Sequence, residues 1–441
     1  MENRKIPFSP PDVGDHEIEE VILTMRSGWI TTGPRTKLLE RRLAAYIETG
    51  RVDIDCNTEE NRRTYSNRVA CLNSATASEE LNLRILGVGP GDEVIVPAYT
   101  YTATASAALH CGADVIFVDC QKDGNKDNRM PEMDYDKMAD AITWRTKAVV
   151  PVDLGGLPCD YDRIYEVLDS KRHLFRPMDD HTTQVNDLSS RIQHSLNRVA
   201  VVADCAHSLG AGTTVGGEWR NCGDVADFSS FSFHAVKGIT TAEGGAATWR
   251  SVKGVDDAEL YKFYQLFSLH GQNKDALAKT QLGGWEYDIV GAWYKCNMTD
   301  IMAAMGLRQL NRYPGLIQRR RQIVEAYDKM CDELGVSYLR HTLPGSTSSY
   351  HLYLTRIPGI TEAIRNEIII KLAERGVVTN VHYKPLPMMS AYRRLSGGIS
   401  LYPNAYDYYH NLITLPCHTL MSDDDLEYVI AVYKDVVQRY V

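Results

Sequence analysis

Between about residues 70 and 250, short apolar runs recur along the chain, separated by amphipathic stretches: DEVIVPAYT, ADVIFVDC, KAVVPVDL, VAVVADC and DFSSFSF. In the first four runs the apolar residues are nearly continuous and rich in Val and Ile, while DFSSFSF intersperses phenylalanine with the small residue serine. That pattern predicts strands buried on both faces. Such strands alternating with helices predict an α/β architecture with a largely parallel sheet covered on both sides. Ligands of these sheets bind beyond the carboxyl ends of the strands, so the polar residues that follow each run are the first candidates for chemistry.

The pattern changes from about residue 310. A basic amphipathic helix (LIQRRRQIVEAYDKMCDELG), a strand-like HLYLTRI, a helix (TEAIRNEIIIKLAERG) and a last helix after DDD predict a smaller α+β unit. The expected division is a large unit over 1–308, with an N-terminal arm, and a small one over 309–441. The run Arg319 to Arg321 reads as a solvated helix face rather than a phosphate site. Two polar stretches, at about 51–66 and 169–198, each precede a strand-like run and read as surface insertions carrying short helices.

Composition narrows the function. The 441 residues exceed one ordinary core, and 44% hydrophobic with 24% charged residues is ordinary for a globular protein. A net charge of −9 argues against general nucleic-acid binding but leaves room for a small phosphorylated ligand in a local pocket. There is no apolar leader or membrane-length run, so a cytoplasmic protein without a membrane partner is expected. The ten cysteines are scattered singly, without C-x-x-C spacing, and read as buried reduced thiols; no metal site is expected.

The strongest chemical signal is FSSFSFHAVKGITTAEGG, Phe228 to Gly245. A strand leads into a tight segment with one lysine, Lys237, followed by small residues able to turn closely against a ligand. A lysine held out of water loses its proton readily and can form a Schiff base. Upstream, VAVVADCAHSLGA puts Asp204 at a strand end and His207 three residues on. A carboxylate there can keep a pyridine nitrogen protonated, although a strand-terminal Asp also serves as a helix cap. In CLNSATASEELNLRILG, Asn73 to Thr76 precede an amphipathic helix whose free N–H groups suit a phosphate ester; ordinary capping by Ser74 or Thr76 is the other reading. Ser232 could add a hydroxyl to the same phosphate. Tyr101, after the strand of VIVPAYTYTAT, could stack on a planar ring or pack in the core. The glycines of GVGPGDE do not make a dinucleotide fingerprint, because they follow a helix and precede a strand.

Together these segments resemble the DegT/DnrJ/StrS aminotransferases, which aminate nucleotide-linked keto-sugars on the aspartate-aminotransferase fold (fold type I). The resemblance covers nearly the whole chain: IPFSPPDVG, SGWITTGP, LNSATAS, GPGDEVIVPAYTYTAT, DCAHSLGA, FSFHAVKGITTAEGG, YKCNMTDIMAAMGLRQL and VHYKPLP. FSFHAVK with AEGG is similar to the 4-amino-4-deoxy-arabinose branch. The resemblance implies that Lys237 holds pyridoxal 5'-phosphate as a Schiff base and that Asp204 pairs with its pyridine nitrogen. It places His207 near the 3-hydroxyl and Tyr101 on the ring, with Ala75, Thr76 and Ser232 at the phosphate. Trp29, Thr31, His382 and Tyr383 are substrate-side candidates, with core packing the alternative for Trp29.

The segment with Lys295 and Asn297 resembles one that crosses a dimer to the partner's cofactor phosphate; a helix cap by Asn297 or Thr299 is the alternative. The implied reaction takes an amino group from glutamate to a nucleotide-linked keto-sugar, in a homodimer with shared active sites. The two insertions leave the sugar open. The family's dehydratase branch carries histidine where this chain has Lys237. A non-catalytic cofactor-binding regulator would not need the full set of Asp204, His207 and Lys237, and no DNA-reading module is appended.

Overall fold

The computed structural model describes residues 4–122, 131–274 and 286–441. The predicted α/β architecture is present. Seven strands form the main sheet, in the spatial order Val69–Leu72, Gly245–Trp249, Phe228–Ser232, Ala200–Asp204, Thr146–Val149, Glu93–Pro97 and Asp114–Val118. The five strands from Phe228–Ser232 to Asp114–Val118 are mutually parallel, and Gly245–Trp249 runs against both of its neighbours.

Apolar side chains on the two faces enter two separate cores. Val94, Val96, Val202 and Phe228 pack with Leu81, Leu83 and Ile85 of the helix Ala75–Ile85. Ile95, Val149, Val201 and Phe231 pack on the other face with Leu39 and Leu43 of Pro34–Thr49 and with Leu307 and Leu310. Two-sided burial is why strands such as Glu93–Pro97 and Ala200–Asp204 are apolar at most positions, and why the polar positions of Phe228–Ser232 are held by small serines.

A three-stranded antiparallel sheet, Ser337–Tyr338, Tyr353–Arg356 and Leu412–Leu415, is covered by the helices Glu362–Glu374 and Asp423–Val437. It has its own core around Tyr327, Tyr353, Val429 and Tyr433. A four-stranded sheet joins the hairpin of Gly212–Val215 and Glu218–Asn221 to Thr342–Leu343 and Ser346–Thr347. The stretch 51–66 holds the helix Glu59–Tyr65, and 169–198 holds Gln184–Leu196.

Two expectations need correction. The helix expected over LIQRRRQIVEAYDKMCDELG is the second half of one helix of 35 residues, Asp300–Leu334, that passes through Pro314. Proline removes one donor and crowds the preceding turn, but packing along both halves carries the helix through, and position 308–309 falls inside it. The Arg319 to Arg321 run is not one solvated face. Arg321 pairs with Glu325 at the surface, but Arg320 is buried and donates to the carbonyls of His351 (3.2 Å) and Cys417 (2.6 Å). Arg319 donates to the Met421 carbonyl at 2.6 Å. Consecutive residues point 100° apart on a helix, so a run of three cannot share one environment.

The start of the long helix is fixed by Asp300, which is fully buried. Its carboxylate accepts from the N–H groups of Gly33 (2.9 Å), Arg35 (3.1 Å) and Thr36 (2.9 Å) and from the Thr36 hydroxyl (2.7 Å). This carboxylate therefore serves the N-terminus of Pro34–Thr49, where unpaired N–H groups and the helix dipole favour negative charge, while Thr299 caps the long helix. Asp300→Ala leaves several donors buried without partners, so stability should fall by about 3 kcal/mol or more. Urea unfolding of the two proteins measures it; a loss below about 1 kcal/mol would show that N-terminus satisfied some other way.

Candidate active site

A cavity of about 460 Å3 opens at the carboxyl ends of the parallel strands. Asp204 and Ser232 are the last residues of their strands, and Thr100 and Tyr101 follow Glu93–Pro97. The cavity brings together Ala75, Thr76, Tyr101, Asp204, His207, Ser232, Lys237, His382 and Tyr383 of the expected set.

Lys237 sits in the loop after Phe228–Ser232, and that loop is tied down at many points. Phe233 exchanges backbone bonds with Gly244 (2.8 Å) and Thr241 (2.9 Å), and Lys237 N–H donates to the His234 carbonyl at 2.9 Å. Thr240 N–H reaches Gln309 of the long helix at 3.4 Å. A Cβ on Gly238 would lie 2.6 Å from the Tyr313 hydroxyl oxygen, so the residue beside the lysine must be glycine for this helix to press on the loop. Enclosure lowers the Lys237 pKa from 10.5 to about 8, and the charge of Asp204 opposes that shift.

Asp204 is buried, and desolvation raises its pKa, against which the Ala206 N–H, the Thr104 hydroxyl and Lys237 work in the other direction. Its Oδ1 accepts from Ala206 N–H at 3.1 Å and its Oδ2 from Thr104 Oγ1 at 2.9 Å. His207 accepts at Nδ1 from Gly155 N–H (3.2 Å), which puts its proton on Nε2, 3.2 Å from the Tyr383 hydroxyl. Burial first, and then Lys237, hold its pKa well below the ordinary value, so the ring is neutral.

Opposite these groups is the N-terminus of Ala75–Ile85. Ser74 caps this helix, accepting from Ala77 N–H at 3.1 Å, and no acceptor within the described residues takes the N–H of Ala75 or Thr76. Both readings of the segment therefore coexist, a cap and a free anion-binding turn. A Cβ at Gly245 would lie 2.3 Å from the Ser74 carbonyl carbon, so glycine lets the reversed strand approach this turn. The Tyr101 ring is 58% exposed at the cavity wall, 5.6 Å from that of Tyr383.

Three expected residues do not line this cavity. Trp29 donates its indole N–H to the Thr32 carbonyl at 3.2 Å, Thr31 is exposed, and Asn297 donates to Thr32 Oγ1 at 2.5 Å. Asn297 accepts from the exposed Lys295, while Thr299 caps the long helix. These residues form a separate cluster at the junction of Thr32, Met298 and Asp300. Residues that the sequence reading passed over also line the cavity or brace it: Glu79, Thr100, Thr104, Gly155, His234 and Glu243. Thr104, three residues past Tyr101 on the same helix turn, could have been found from its spacing; Glu79 stands in an amphipathic stretch that marks it only as helix.

A fold with this site belongs to the pyridoxal-phosphate-dependent transferases, and comparison with known proteins bears that out. Residues 11–174 and 184–434 match the model of the DegT/DnrJ/EryC1/StrS aminotransferase family. The chain is 32% identical to the spore coat polysaccharide biosynthesis protein SpsC of Bacillus subtilis, covering 99% of this chain and 98% of that one. The structure of Spr1654 from Streptococcus pneumoniae, assigned as a sugar aminotransferase and solved in its PMP form, is 49% identical with a TM-score of 0.86, over 99% of this chain and 100% of that one. PseC of Helicobacter pylori, at 24% identity and a TM-score of 0.77, shares the fold over 99% of this chain and 100% of that one. This chain belongs to the DegT/DnrJ/EryC1/StrS aminotransferase family. It is a pyridoxal-phosphate-dependent aminotransferase.

The wall chemistry fits this cofactor: a lysine with a lowered pKa, a carboxylate at the deep end and free backbone donors for a phosphate. The lowered pKa of Lys237 also makes a prediction about stability. In the cofactor-free protein the unfolded chain binds the lysine's proton between about pH 8 and 10.5 while the folded chain does not, so stability rises with pH across that window. Below pH 8 the enclosed ammonium costs on the order of 3 kcal/mol. Lys237→Met should therefore stabilise the cofactor-free protein at pH 7, by about 1–3 kcal/mol, and the gain should shrink by pH 10. Urea unfolding at the two pH values tests this; a gain independent of pH would mean the lysine is not destabilised by its charge.

Proposed function

We propose that this enzyme transfers an amino group from glutamate to a nucleotide-linked keto-sugar. The observation that carries the reading is the Lys237–Asp204 pair enclosed beside a free helix N-terminus, in a chain that matches sugar aminotransferases along almost its full length. Bound pyridoxal phosphate supplies an electron-withdrawing ring that stabilises charge at the donor's α-carbon.

The protein's groups do the rest. The Nζ of Lys237, whose pKa burial brings down to about 8, would take a proton from the donor's α-carbon and pass it to the bound cofactor in the first half of the cycle, and in the second half would carry a proton back onto the acceptor carbon that gains the nitrogen. Asp204 would keep the pyridine nitrogen protonated, and neutral His207 holds Tyr383 through Nε2–H. The N–H groups of Ala75 and Thr76 and the hydroxyl of Ser232 would hold the phosphate, and Tyr101 would cover the ring. His382 and Tyr383 face the acceptor. Purified protein offered glutamate and a panel of nucleotide-linked 3-keto and 4-keto sugars should yield an amino sugar by mass spectrometry, with none from Lys237→Ala. Fast turnover of simple keto acids with no sugar product would refute the sugar reading.

The enzyme works, on this reading, as a homodimer with shared active sites. Trp29, Thr31, Lys295 and Asn297 lie outside their own chain's cavity and are offered to the partner's. The helix Asp15–Arg26 supports this by exposing Ile18, Ile22 and Met25 on one side, an apolar face that a second copy would cover. Mixing inactive Lys237→Ala with inactive Asn297→Ala should restore part of the activity after subunit exchange, because one site of each heterodimer then holds both residues. No recovery after demonstrated exchange would exclude shared sites. Residues 1–308 and 309–441 form the large and small units of each subunit. No helix among the described residues is long and apolar enough to cross a membrane; a cytoplasmic setting suits the free cysteines.

A further inference from the structure

Glu79 is a buried carboxyl with nothing to bind. It is 0% exposed, on a helix that packs Leu81, Leu83 and Ile85 into the core, and neither of its carboxyl oxygens has a hydrogen-bond partner among the described residues. Asn82, on the same helix, shows what the site does with polar groups it needs for structure: its amide donates to the Ser229 carbonyl at 3.2 Å and accepts from Tyr264 Oη at 2.5 Å. Buried polar groups are nearly always paired, and leucine at position 79 would suit both the helix and its apolar neighbours better. A partner for Glu79 therefore has to come from the side it does face, the cavity it lines with Lys237 and Asp204.

Asp204 has room for that partner. An ionised carboxylate offers about four acceptor positions, and the protein uses two, for Ala206 N–H and Thr104 Oγ1. A pyridine N–H takes a third. We propose that Glu79 is a cofactor-positioning residue: its carboxyl O–H donates through one water to the fourth position on Asp204 and so steadies that carboxylate for the pyridine nitrogen it would meet. The donor role requires a proton on Glu79. Burial first, and the charge of Asp204 second, both push its pKa well above the ordinary carboxyl range, the direction that favours the protonated, donating form.

The test titrates cofactor-depleted full-length protein with pyridoxal phosphate and follows the absorbance of the bound cofactor. Glu79→Leu should weaken binding about tenfold or more, the size of one lost charge-assisted hydrogen bond. The melting temperature of the cofactor-free Leu variant should hold or rise, since a buried carboxyl next to a second carboxylate has gone. Glu79→Gln keeps an uncharged donor of the same reach and should bind within about threefold of the parent. Binding by Glu79→Leu within about threefold, or a loss in Glu79→Gln as large as in Glu79→Leu, overturns the proposal. Should the Leu variant fail to fold, the Gln variant alone decides: weakening beyond about threefold counts against the role and retention supports it.

Discussion

An ammonium and a carboxylate held in one enclosed cavity set the terms for the rest of this molecule. Burial drives the pKa of Lys237 down and that of Asp204 up, and each charge partly offsets the other's loss of water. Neither group would stay in such a place unless the surrounding backbone were fixed independently. The parallel sheet provides that fixity by ending its strands in a line, so that Asp204 and Ser232 project from adjacent strands paired through Asp204 and Ser230. The loop bearing the lysine is then clamped from outside by Gln309 and Tyr313, which belong to a helix that is not otherwise part of the cavity wall.

The strands were legible because burial on both faces leaves an unbroken apolar signature, and their carboxyl ends pointed to the right polar residues. Lys237, Asp204, His207 and the turn at Ala75 and Thr76 could be found in this way because each follows or precedes such a run. What could not be read depended on contacts between distant segments. Arg320 looks like its neighbours in the sequence, and only the carbonyls of His351 and Cys417 make it a core residue. Pro314 looks like a boundary, yet core residues on both sides keep the helix whole. The cluster of Trp29, Thr31 and Asn297 is near in space to Thr32 and Asp300 rather than to the cavity, a placement that local pattern does not encode. Glu79 was hidden by its setting, since one acidic residue in an amphipathic helix is unremarkable until its oxygens are found without partners.

Family membership and site geometry carry different information here. The match along the chain identifies the cofactor and the type of reaction, which depend on the deep end of the cavity. On the proposed function, selectivity for the acceptor would fall to other lining residues, among them His382, Tyr383 and the exposed Tyr101. The inserted stretches at 51–66 and 169–198 do not contribute to the cavity lining.

The unbroken passage of the long helix through Pro314 gives the molecule a mechanical property. Some twenty residues beyond that proline span about 30 Å, and the first fourteen, anchored by Asp300, carry the side chains that press on the lysine's loop. The helix is a single lever with one end seated at the lysine's loop and the other in the three-stranded sheet's core. A tilt of about five degrees at the seated end would sweep the far end through between about 2 and 3 Å. It thereby ties the lysine's loop to the sheet whose strand Leu412–Leu415 also holds His382 of the cavity wall, through Thr414 at 3.2 Å.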